Sequence, residues 1–535
     1  MNPVASTKCA GRLLMALAAI ASILLIASCG SGGSPARSNQ VGFTDSDLKG
    51  TYVFSSAGSD ANGNPLALAG AFATNGSGGI TGGTMDVVDP AATTPVSVGL
   101  AITSGSYNVN TDGRGQATLT SSVGTFTLDF VLTSNSHGLV SEFDSNGTGS
   151  GTLDLQTAVT SLSQLAGPFA FSLAGNDSDG NPFATAGAFT LNASGTTTTP
   201  GVEDFNDAAL FVDAGQSLTA AATLGSGTDP GTIALTTPAS FGKLTFDFYP
   251  IDATHLKFIE TDDTDFLSGD AFTQTGASIP TGPMVFTMAG GTESSGPIAN
   301  GGLMTSTDGL GDFSRGLEDV NDSGTVPAQG QFSGTLDAEA SGTVGGRVFV
   351  NLTGFAPAAD WVIYPSSGGL LMLEMDTANI TTGVGYAQTA TSFAASEYGL
   401  NLSGANPNGE VDNIAQFDAS SPTSSPNLTG ILDENNIGSE SPLLTGLSLS
   451  GTYTPDSPAT GRGSIAVPSI NTNNGTLNLE YYVVDASTVV FIDIDTTQVA
   501  AGTFELQSVP GGGGAVRSRV SVVHPVVRHA ALRRK

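Results

Sequence analysis

In the stretch Leu139-Val140-Ser141-Glu142-Phe143-Asp144, an apolar run is followed by an acid, one further residue and an Asp. Gly151 and Gln156 follow seven and twelve residues after that Asp. We name this arrangement the closing motif, and it occurs four times. The Asp, Gly and Gln of the copies are Asp144/Gly151/Gln156, Asp262/Gly269/Gln274, Asp376/Gly383/Gln388 and Asp495/Gly502/Gln507. The acids two residues before these Asp are Glu142, Glu260, Glu374 and Asp493. Successive Gln residues are 118, 114 and 119 positions apart, which indicates four tandem copies of one unit.

Two further landmarks keep the same order in every copy. An acid followed by an aromatic residue lies 15 or 16 positions before the Asp of the closing motif, at Asp129-Phe130, Asp247-Phe248, Asp360-Trp361 and Glu480-Tyr481. A Gly-x-x-Asp sequence comes earlier, at Gly83/Asp86, Gly201/Asp204, Gly316/Asp319 and Gly430/Asp433. Because the landmarks recur in one order, they are a strong repeat signal, and the fourth copy diverges most, as terminal repeats often do.

Each unit is predicted to consist of short strands. Polar and apolar residues alternate in Thr125-Phe126-Thr127-Leu128-Asp129-Phe130, which is typical of a half-buried strand. Turn dipeptides such as Asn75-Gly76 and Asp112-Gly113 separate the strands, because these residues tolerate positive φ. We predict an all-β chain of four antiparallel domains of about 110 residues. Hairpin-length loops favour an up-and-down meander or barrel, and an immunoglobulin-like sandwich, which needs longer crossings, is the alternative.

The landmarks and composition shifts divide the chain into seven predicted segments. These are a signal peptide (1–28), a flexible tether (29–47), four β repeats (48–157, 165–275, 280–389 and 393–508) and a Gly-rich linker with a basic tail (509–535).

The N-terminus has the features of an export signal. Lys8 and Arg12 precede an apolar run of 14 residues, from Leu13 to Ile26, which is short for a membrane span. The run ends in Ile26-Ala27-Ser28-Cys29, which resembles the lipobox of bacterial lipoproteins. That resemblance implies that Cys29 is lipidated and that the preceding peptide is removed. The alternative is an ordinary secretory signal with a chance Cys.

Lipidation would anchor the protein in the bacterial cell envelope, because two or more acyl chains give stable attachment. The resemblance further implies the outer membrane or cell surface, since residue 30 is Gly and not Asp. Residues 48–508 resemble uncharacterised secreted bacterial lipoproteins built of tandem Gly- and Asp-rich β repeats, a resemblance that carries no activity with it. Cys9 and Cys29 are the only cysteines, so the repeats contain no disulfide.

Charge excludes one class of partner. Of the 48 acids, two precede residue 50 and none follows Glu505, leaving 46 against six Lys or Arg between residues 50 and 510. A net charge near −40 makes nucleic acid a very poor partner for this region. We interpret the acids mainly as a solubilising surface. The tail carries six Lys or Arg and no acid, and it is either an arm that binds an anionic partner or an unstructured extension.

The carboxylate pairs of the closing motifs are the sharpest candidates for chemistry. Calcium prefers several oxygen ligands, so a calcium site is one interpretation, and a glycosidase-like pair is another. A strand end whose Asp caps the following turn is favoured over both. The candidate calcium ligands are Glu142, Asp144, Glu260, Asp262, Glu374, Asp376, Asp493 and Asp495. No other cofactor is expected.

Three functions follow. The first hypothesis is a lipid-anchored envelope protein with a display, adhesion or structural binding role, without catalysis, whose partners are the membrane and a glycan or protein ligand. The second is a set of small-ligand-binding barrels. The third is an extracytoplasmic hydrolase. His137 and His255 occupy equivalent positions, but with one His per unit at most, no Ser-His-Asp triad or His-based zinc site forms within a unit.

Overall fold

A computed structural model describes residues 42–508 except 209–210, 239–241, 263–264, 293–295, 323–327, 339–340, 342–345, 355–359, 469, 471 and 473–474. The predicted signal peptide, Cys29, most of the tether and the basic tail lie outside the described residues. Within the described part, no helix has the length and apolar character needed to cross a membrane. Short 3-10 helices lie at Asp45–Asp47 and Leu162–Leu165.

The described chain forms four consecutive closed antiparallel barrels, each with eight strand positions. The strands of the first barrel are β1 (Lys49–Asp60), β2 (Pro65–Asn75), β3 (Gly79–Val88), β4 (Val96–Ala101), β5 (Ser104–Val109), β6 (Arg114–Thr120), β7 (Thr125–Leu132), β8 (His137–Phe143) and β9 (Gly147–Leu155). Both β4 and β5 pair with β3, so together they fill the fourth position, and the β2–β3 pairing completes the circuit.

The other barrels pair each strand with the next and the last with the first. The second contains β10 (Gly167–Asp177), β11 (Pro182–Leu191), β12 (Gly201–Asp207), β13 (Phe211–Thr223), β14 (Gly231–Thr236), β15 (Lys243–Pro250), β16 (His255–Glu260) and β17 (Asp265–Thr273). The third contains β18 (Gly282–Thr292), β19 (Pro297–Ser306), β20 (Phe313–Asp322), β21 (Ala328–Leu336), β22 (Val348–Thr353), β23 (Asp360–Ser366), β24 (Gly369–Glu374) and β25 (Asn379–Ala387).

The fourth contains β26 (Glu397–Asn406), β27 (Gly409–Ala419), β28 (Leu428–Asn436), β29 (Leu443–Pro455), β30 (Arg462–Val467), β31 (Leu477–Val483), β32 (Thr488–Asp493) and β33 (Val499–Leu506). The predicted up-and-down barrel is therefore confirmed, and the immunoglobulin-like alternative is wrong. Hairpin-length loops made the difference, because they leave sequential neighbours as the only accessible partners.

Period-two alternation gives each first strand two different faces. Tyr52 and Phe54 point into the core of the first barrel, whereas Val53 between them packs against the second barrel. Aromatic side chains from the acid-aromatic landmark also fill the cores. Trp361 is 1% exposed and contacts Phe286 and Phe332, which identifies it as a core residue.

Each barrel packs against the next through one recurring contact, which we name a joint. The first and second strand positions of one barrel contact the sixth to eighth positions of the following barrel, as β10 and β11 do with β23, β24 and β25. The fourth barrel makes the same contact with the first, through β26 and β27 against β7, β8 and β9. Because the head-to-tail contact returns to its start, the four barrels form a closed ring.

Many acids lie inside this ring rather than on its surface. Glu203, Glu260, Asp412 and Asp493 are each at most 1% exposed, and many further Asp and Glu are also buried. The interpretation of the acids as mainly a solubilising surface is therefore wrong for much of the repeat region. Spacing alone could not separate a buried joint from an exposed turn, because both place acids at strand ends.

Candidate functional site

Each closing motif forms the hairpin between the seventh and eighth strands. Asp144 accepts hydrogen bonds from the backbone N–H of Asn146 at 2.7 Å, within the turn, and of Thr127 at 3.0 Å, on the sixth strand. Asp262 and Asp495 accept the equivalent bond from the sixth strand, at 2.7 and 3.0 Å. These carboxylates therefore fix the hairpin and tie it to its neighbour, which is the role of a turn-capping Asp.

The acid two residues earlier is buried in all four motifs. Glu374 accepts hydrogen bonds from the Thr381 hydroxyl at 2.5 Å and the Asn379 amide at 3.2 Å. Burial, followed by the charge of the neighbouring Asp, raises the pKa of Glu142, Glu260, Glu374 and Asp493 well above the usual range. Burial therefore favours the protonated form of these four acids, because an uncompensated buried charge is costly.

No group of three or more His, Cys, Asp or Glu side chains is placed to hold a metal ion in the part of the chain that the structure describes. Each predicted pair stays within its own hairpin, and the four pairs do not converge on one point. The calcium hypothesis for the closing motifs therefore stays a prediction.

A buried Asn on the third strand joins one barrel to the closing hairpin of the next. The Asn321 amide donates to the carbonyl oxygens of Asp493, Asp495 and Gln498 at 2.9, 3.0 and 2.9 Å. Asn206 and Asn435 do the same to the hairpins of the third and first barrels, at 2.7–2.9 and 2.8–3.4 Å. The closing hairpin is therefore the acceptor in a contact between barrels.

The Asp of the Gly-x-x-Asp landmark stands two residues before this Asn and also reaches across the joint. Asp204 accepts two hydrogen bonds from Arg347, at 2.7 and 2.6 Å, and one from the Tyr364 hydroxyl. Asp319 makes the equivalent contacts with Arg462, at 2.8 Å twice, and with Tyr482 at 2.6 Å. A bidentate Arg–carboxylate pair gives such a contact a defined orientation.

The other two joints carry reduced versions of this contact. Asp433 pairs with Arg114 at 3.2 Å, without a Tyr. Asp86 accepts from the Tyr249 hydroxyl at 2.8 Å, without an Arg. Burial, and then the charge of Asp86, raises the pKa of Asp247 to about 7. Val88 takes the place of the joint Asn here and packs in an apolar cluster.

The Gln of the closing motif completes the joint. Gln156 donates to the Pro250 carbonyl of the second barrel at 2.8 Å, and Gln507 donates to the Leu132 carbonyl of the first barrel at 2.9 Å. Gln388 makes the same bond to Val483 at 3.1 Å. The landmarks that mark the repeat are thus largely the residues that connect one barrel to the next.

Sequence reasoning missed this role and treated the landmarks as turn chemistry. One signal was present, because Asn206, Asn321 and Asn435 each lie two residues after a landmark Asp and Val88 replaces them in the first unit. A residue that makes a turn is needed in every copy of the unit. A residue present in three copies and replaced in the fourth therefore indicates a contact outside the unit, with a neighbouring barrel that differs from copy to copy.

Two His residues, His137 of the first barrel and His255 of the second, lie in a buried network of charged side chains that also includes Glu505 of the fourth barrel. His137 contacts Asp154 at 2.7 Å and Glu505 of the fourth barrel at 3.3 Å. Burial lowers the pKa of His137, but Asp154 and Glu505 outweigh it and raise the value to about 10. The side chain is thus a cation at neutral pH and cannot act as a general base there.

The second His has a similar setting. His255 and Lys257 both contact Asp270, at 2.8 and 3.1 Å. The Thr152 hydroxyl donates to Asp154 at 2.7 Å, not to a His nitrogen, so the network does not pair a nucleophile with a base. The arrangement can bind three barrels together electrostatically, and it offers no geometry for acyl transfer.

Comparisons with known proteins add little. No protein-family model matches the chain, and no curated protein is significantly similar. Kievitone hydratase from Nectria haematococca is similar at 10% identity and a TM-score of 0.17, over 66% of this chain and 93% of that chain. A mutant transferrin binding protein B from Haemophilus parasuis Hp5 is similar at 9% identity and 0.18, over 69% and 83%.

An intact transferrin binding protein B with N and C lobes gives 9% identity and a TM-score of 0.16, over 69% of this chain and 84% of that chain. TM-scores this low support no statement about the activity of this chain.

The joint Asn predicts a measurable loss of stability. Asn321→Ala removes three hydrogen bonds to buried carbonyl oxygens, and we expect it to destabilise the third and fourth barrels by about 2–3 kcal/mol. Trp361 is the only Trp and lies in the third-barrel core, so its fluorescence during urea unfolding reports the change. Asn108→Ala, on an exposed strand position, is the control and should change stability by less than about 0.5 kcal/mol. Equal effects of the two substitutions would contradict the role of Asn321.

Proposed function

We propose that this chain is a lipid-anchored protein of the bacterial cell envelope, at the outer membrane or cell surface, whose four-barrel ring displays a binding surface. The observation that carries the proposal is that the charged side chains of the landmarks are occupied in contacts between barrels. The Asp, Arg and Asn side chains of the landmarks meet across the joints and fix linked barrels against one another. A rigid, tethered platform suits adhesion, structural or recognition roles.

The fourth and fifth strands offer the surface for such binding. They carry exposed hydroxyl pairs, such as Thr223 with Thr232 at 2.6 Å and Ser333 with Thr353 at 3.1 Å. Hydroxyl groups on a regular strand both donate and accept hydrogen bonds, and they carry no charge that binding must desolvate. A neutral glycan or an uncharged polar protein surface fits this chemistry best.

Two other functions have less support. Small-ligand-binding barrels need a cavity, whereas the interiors of these barrels hold the core clusters, including Phe54, Phe171, Phe286 and Tyr398. An extracytoplasmic hydrolase needs convergent carboxylates in an accessible cleft, whereas the paired carboxyls of the closing motifs lie in hairpins with one member buried.

Anchoring is tested by removing the thiol that would be lipidated. Cys29→Ser should move the full-length protein from the detergent phase to the aqueous phase and from the membrane fraction to the soluble or secreted fraction, because acyl attachment needs the thiol. Cys9→Ser, within the predicted signal peptide, is the matched control and should leave the distribution unchanged. A Cys29→Ser protein that stays in the detergent phase would exclude the lipid anchor.

Binding is tested on the exposed strands. Full-length protein in detergent is assayed against intact cells and a panel of neutral glycans, together with the variant T223K/T353K, which places one charged side chain on the fourth strand of the second barrel and one on the fifth strand of the third. We expect binding about tenfold weaker for this variant, a change of about 1.4 kcal/mol. Thr190→Lys, on an exposed position of the second strand, is the control. Equal binding by all three proteins would place any ligand elsewhere.

Calcium binding at the closing motifs is the second candidate function. One carboxyl oxygen of Glu142 and one of Glu260 have no hydrogen-bond partner among the described residues, which favours an additional ligand there. Calcium would have to displace the proton of each buried Glu, so its affinity would rise with pH.

Thermal unfolding with calcium and with EDTA tests this hypothesis. Calcium should raise the melting temperature, more at pH 8 than at pH 6, and the shift should vanish when Asp144, Asp262, Asp376 and Asp495 are changed to Asn. The variant D60N/D177N, which alters two other turn carboxylates, serves as the control and should keep the shift. Identical melting in calcium and EDTA would leave the closing motifs with turn-making and joint roles alone.

A further inference from the structure

The joint between the fourth and first barrels differs from the others in its connection. Residues 156–166, 274–281 and 388–396 link consecutive barrels, so the first three joints hold together domains that are adjacent in the chain. The fourth barrel meets the first without such a link, since the two are separated by the whole intervening chain. This joint alone can open while every pair of linked barrels stays in contact.

Among the described residues, it also has the smallest apolar contact. The apolar cluster shared by the fourth and first barrels contains Val131, Leu139 and Ile414. The cluster between the second and third barrels has fourteen buried residues, and the third and fourth barrels share two clusters. Because the hydrophobic contribution grows with the apolar area removed from water, the ring-closing joint gains least from it.

Buried carboxyls take the place of the missing apolar area. Asp412 accepts hydrogen bonds from the hydroxyls of Thr148 and Ser150, both at 2.7 Å. Glu410 accepts one from Ser59 and lies against the first-barrel backbone, where a Cβ built on Gly58 would come within 2.6 Å of its oxygen. The Ser150 hydroxyl also lies 2.7 Å from the side-chain oxygen of Asn401. Hydroxyls on two strands of the first barrel, β1 and β9, thus face the two acids of the fourth.

The charges around these two acids are themselves negative. Glu142 on β8 faces Asp412 across the joint, and Asp144 and Asp89 lie near Glu142. On β28, Glu434 pairs with Asn413, the residue next to Asp412. The cations that take part in this joint contact other acids, Arg114 with Asp112 and Asp433, and His137 with Asp154 and Glu505. No ion pair among the described residues reaches Glu142, Glu410 or Asp412.

These conditions favour the neutral acids while the joint is closed. Burial, and then the charge of Asp412, raises the pKa of Glu410 well above its usual range, and burial raises the pKa of Asp412 to about 6. A raised pKa in the closed state means that closure is fully favoured at low pH and loses stability as pH rises through these values. In the joint between the third and fourth barrels, Arg462 holds Asp319 through two bonds of 2.8 Å, whereas Arg114 meets Asp433 of the ring-closing joint at 3.2 Å.

We propose that the joint between the fourth and first barrels is a latch, which opens the ring into an arc of four linked barrels when its buried acids ionise. Opening exposes the paired faces of β26 and β27 and of β7, β8 and β9. The other three joints stay closed over the same range, because they keep their linkers and larger apolar clusters.

Two matched cysteine pairs in the full-length chain test the latch. The pair T133C/S508C spans the ring-closing joint, where the Ser508 N–H donates to the Thr133 carbonyl at 2.7 Å. The pair T389C/V484C spans the joint between the third and fourth barrels at the equivalent bond, 2.8 Å. The rate of disulfide formation is measured for each pair between pH 5 and pH 9. The readout is the rate of T133C/S508C divided by the rate of T389C/V484C, because this ratio cancels the general pH dependence of thiol reactivity.

As pH rises from 5, the ratio should fall by at most about tenfold per pH unit for each proton lost on opening, until the acids are ionised in the closed joint as well. Adding E410Q/D412N, which imitates the protonated acids, should keep the ratio constant, whereas the control Glu318→Gln, a buried acid of the third barrel, should not. Small-angle X-ray scattering should show a larger radius of gyration at pH 9 for the wild type but not for E410Q/D412N.

Three results would overturn the latch. These are a ratio that does not change between pH 5 and pH 9, a parallel loss of both crosslinks, and equal rescue by Glu318→Gln. The second result would indicate general unfolding rather than opening of one joint.

Discussion

The closed ring depends on side-chain amides and carboxylates that satisfy backbone groups of a neighbouring barrel. A closed barrel has no free strand edge, so two barrels cannot join by extending a sheet. Contact comes from side chains and from single backbone bonds such as that of the Ser508 N–H to the Thr133 carbonyl, and the carbonyl oxygens of the closing hairpin accept from the joint Asn. Asn321 meets three of them at 2.9–3.0 Å, and that geometry sets both the distance and the rotation between two barrels.

The acid-rich composition has its explanation in these contacts. A chain with few Lys and Arg cannot neutralise each buried acid with a cation, so protonation supplies much of the balance. Arg347 and Arg462 neutralise Asp204 and Asp319 at two joints, whereas at the first joint Asp86 accepts from the Tyr249 hydroxyl and burial raises the pKa of Asp247. The ring thus contains carboxylates that an Arg neutralises, such as Asp204, beside buried carboxyls with raised pKa values, such as Glu410. We therefore expect the stability of the joints to depend on pH.

Imperfect symmetry gives the four joints different properties. The first joint replaces Asn with Val88 and relies on apolar packing, and the second and third combine Asn, Arg and Tyr with large apolar clusters. The fourth keeps Asn435 and Arg114 but adds Glu410 and Asp412 and has little apolar contact. Repeat copies that diverge at the joints, while their barrels stay alike, allow one joint to respond to conditions that leave the others unchanged.

The sequence by itself determined the number of units and their all-β class, and it favoured the barrel over the sandwich. These are local properties, because alternation, turn dipeptides and hairpin length act over a few residues. The tertiary structure alone decided that Asp204, Asn206 and Gln156 act between barrels and that the fourth barrel closes on the first. Glu410 and Ser59 are 351 positions apart, and no periodicity within a unit of about 110 residues encodes which face of one barrel meets the next. That choice depends on the complementarity of two finished surfaces, which exist only after each barrel has folded.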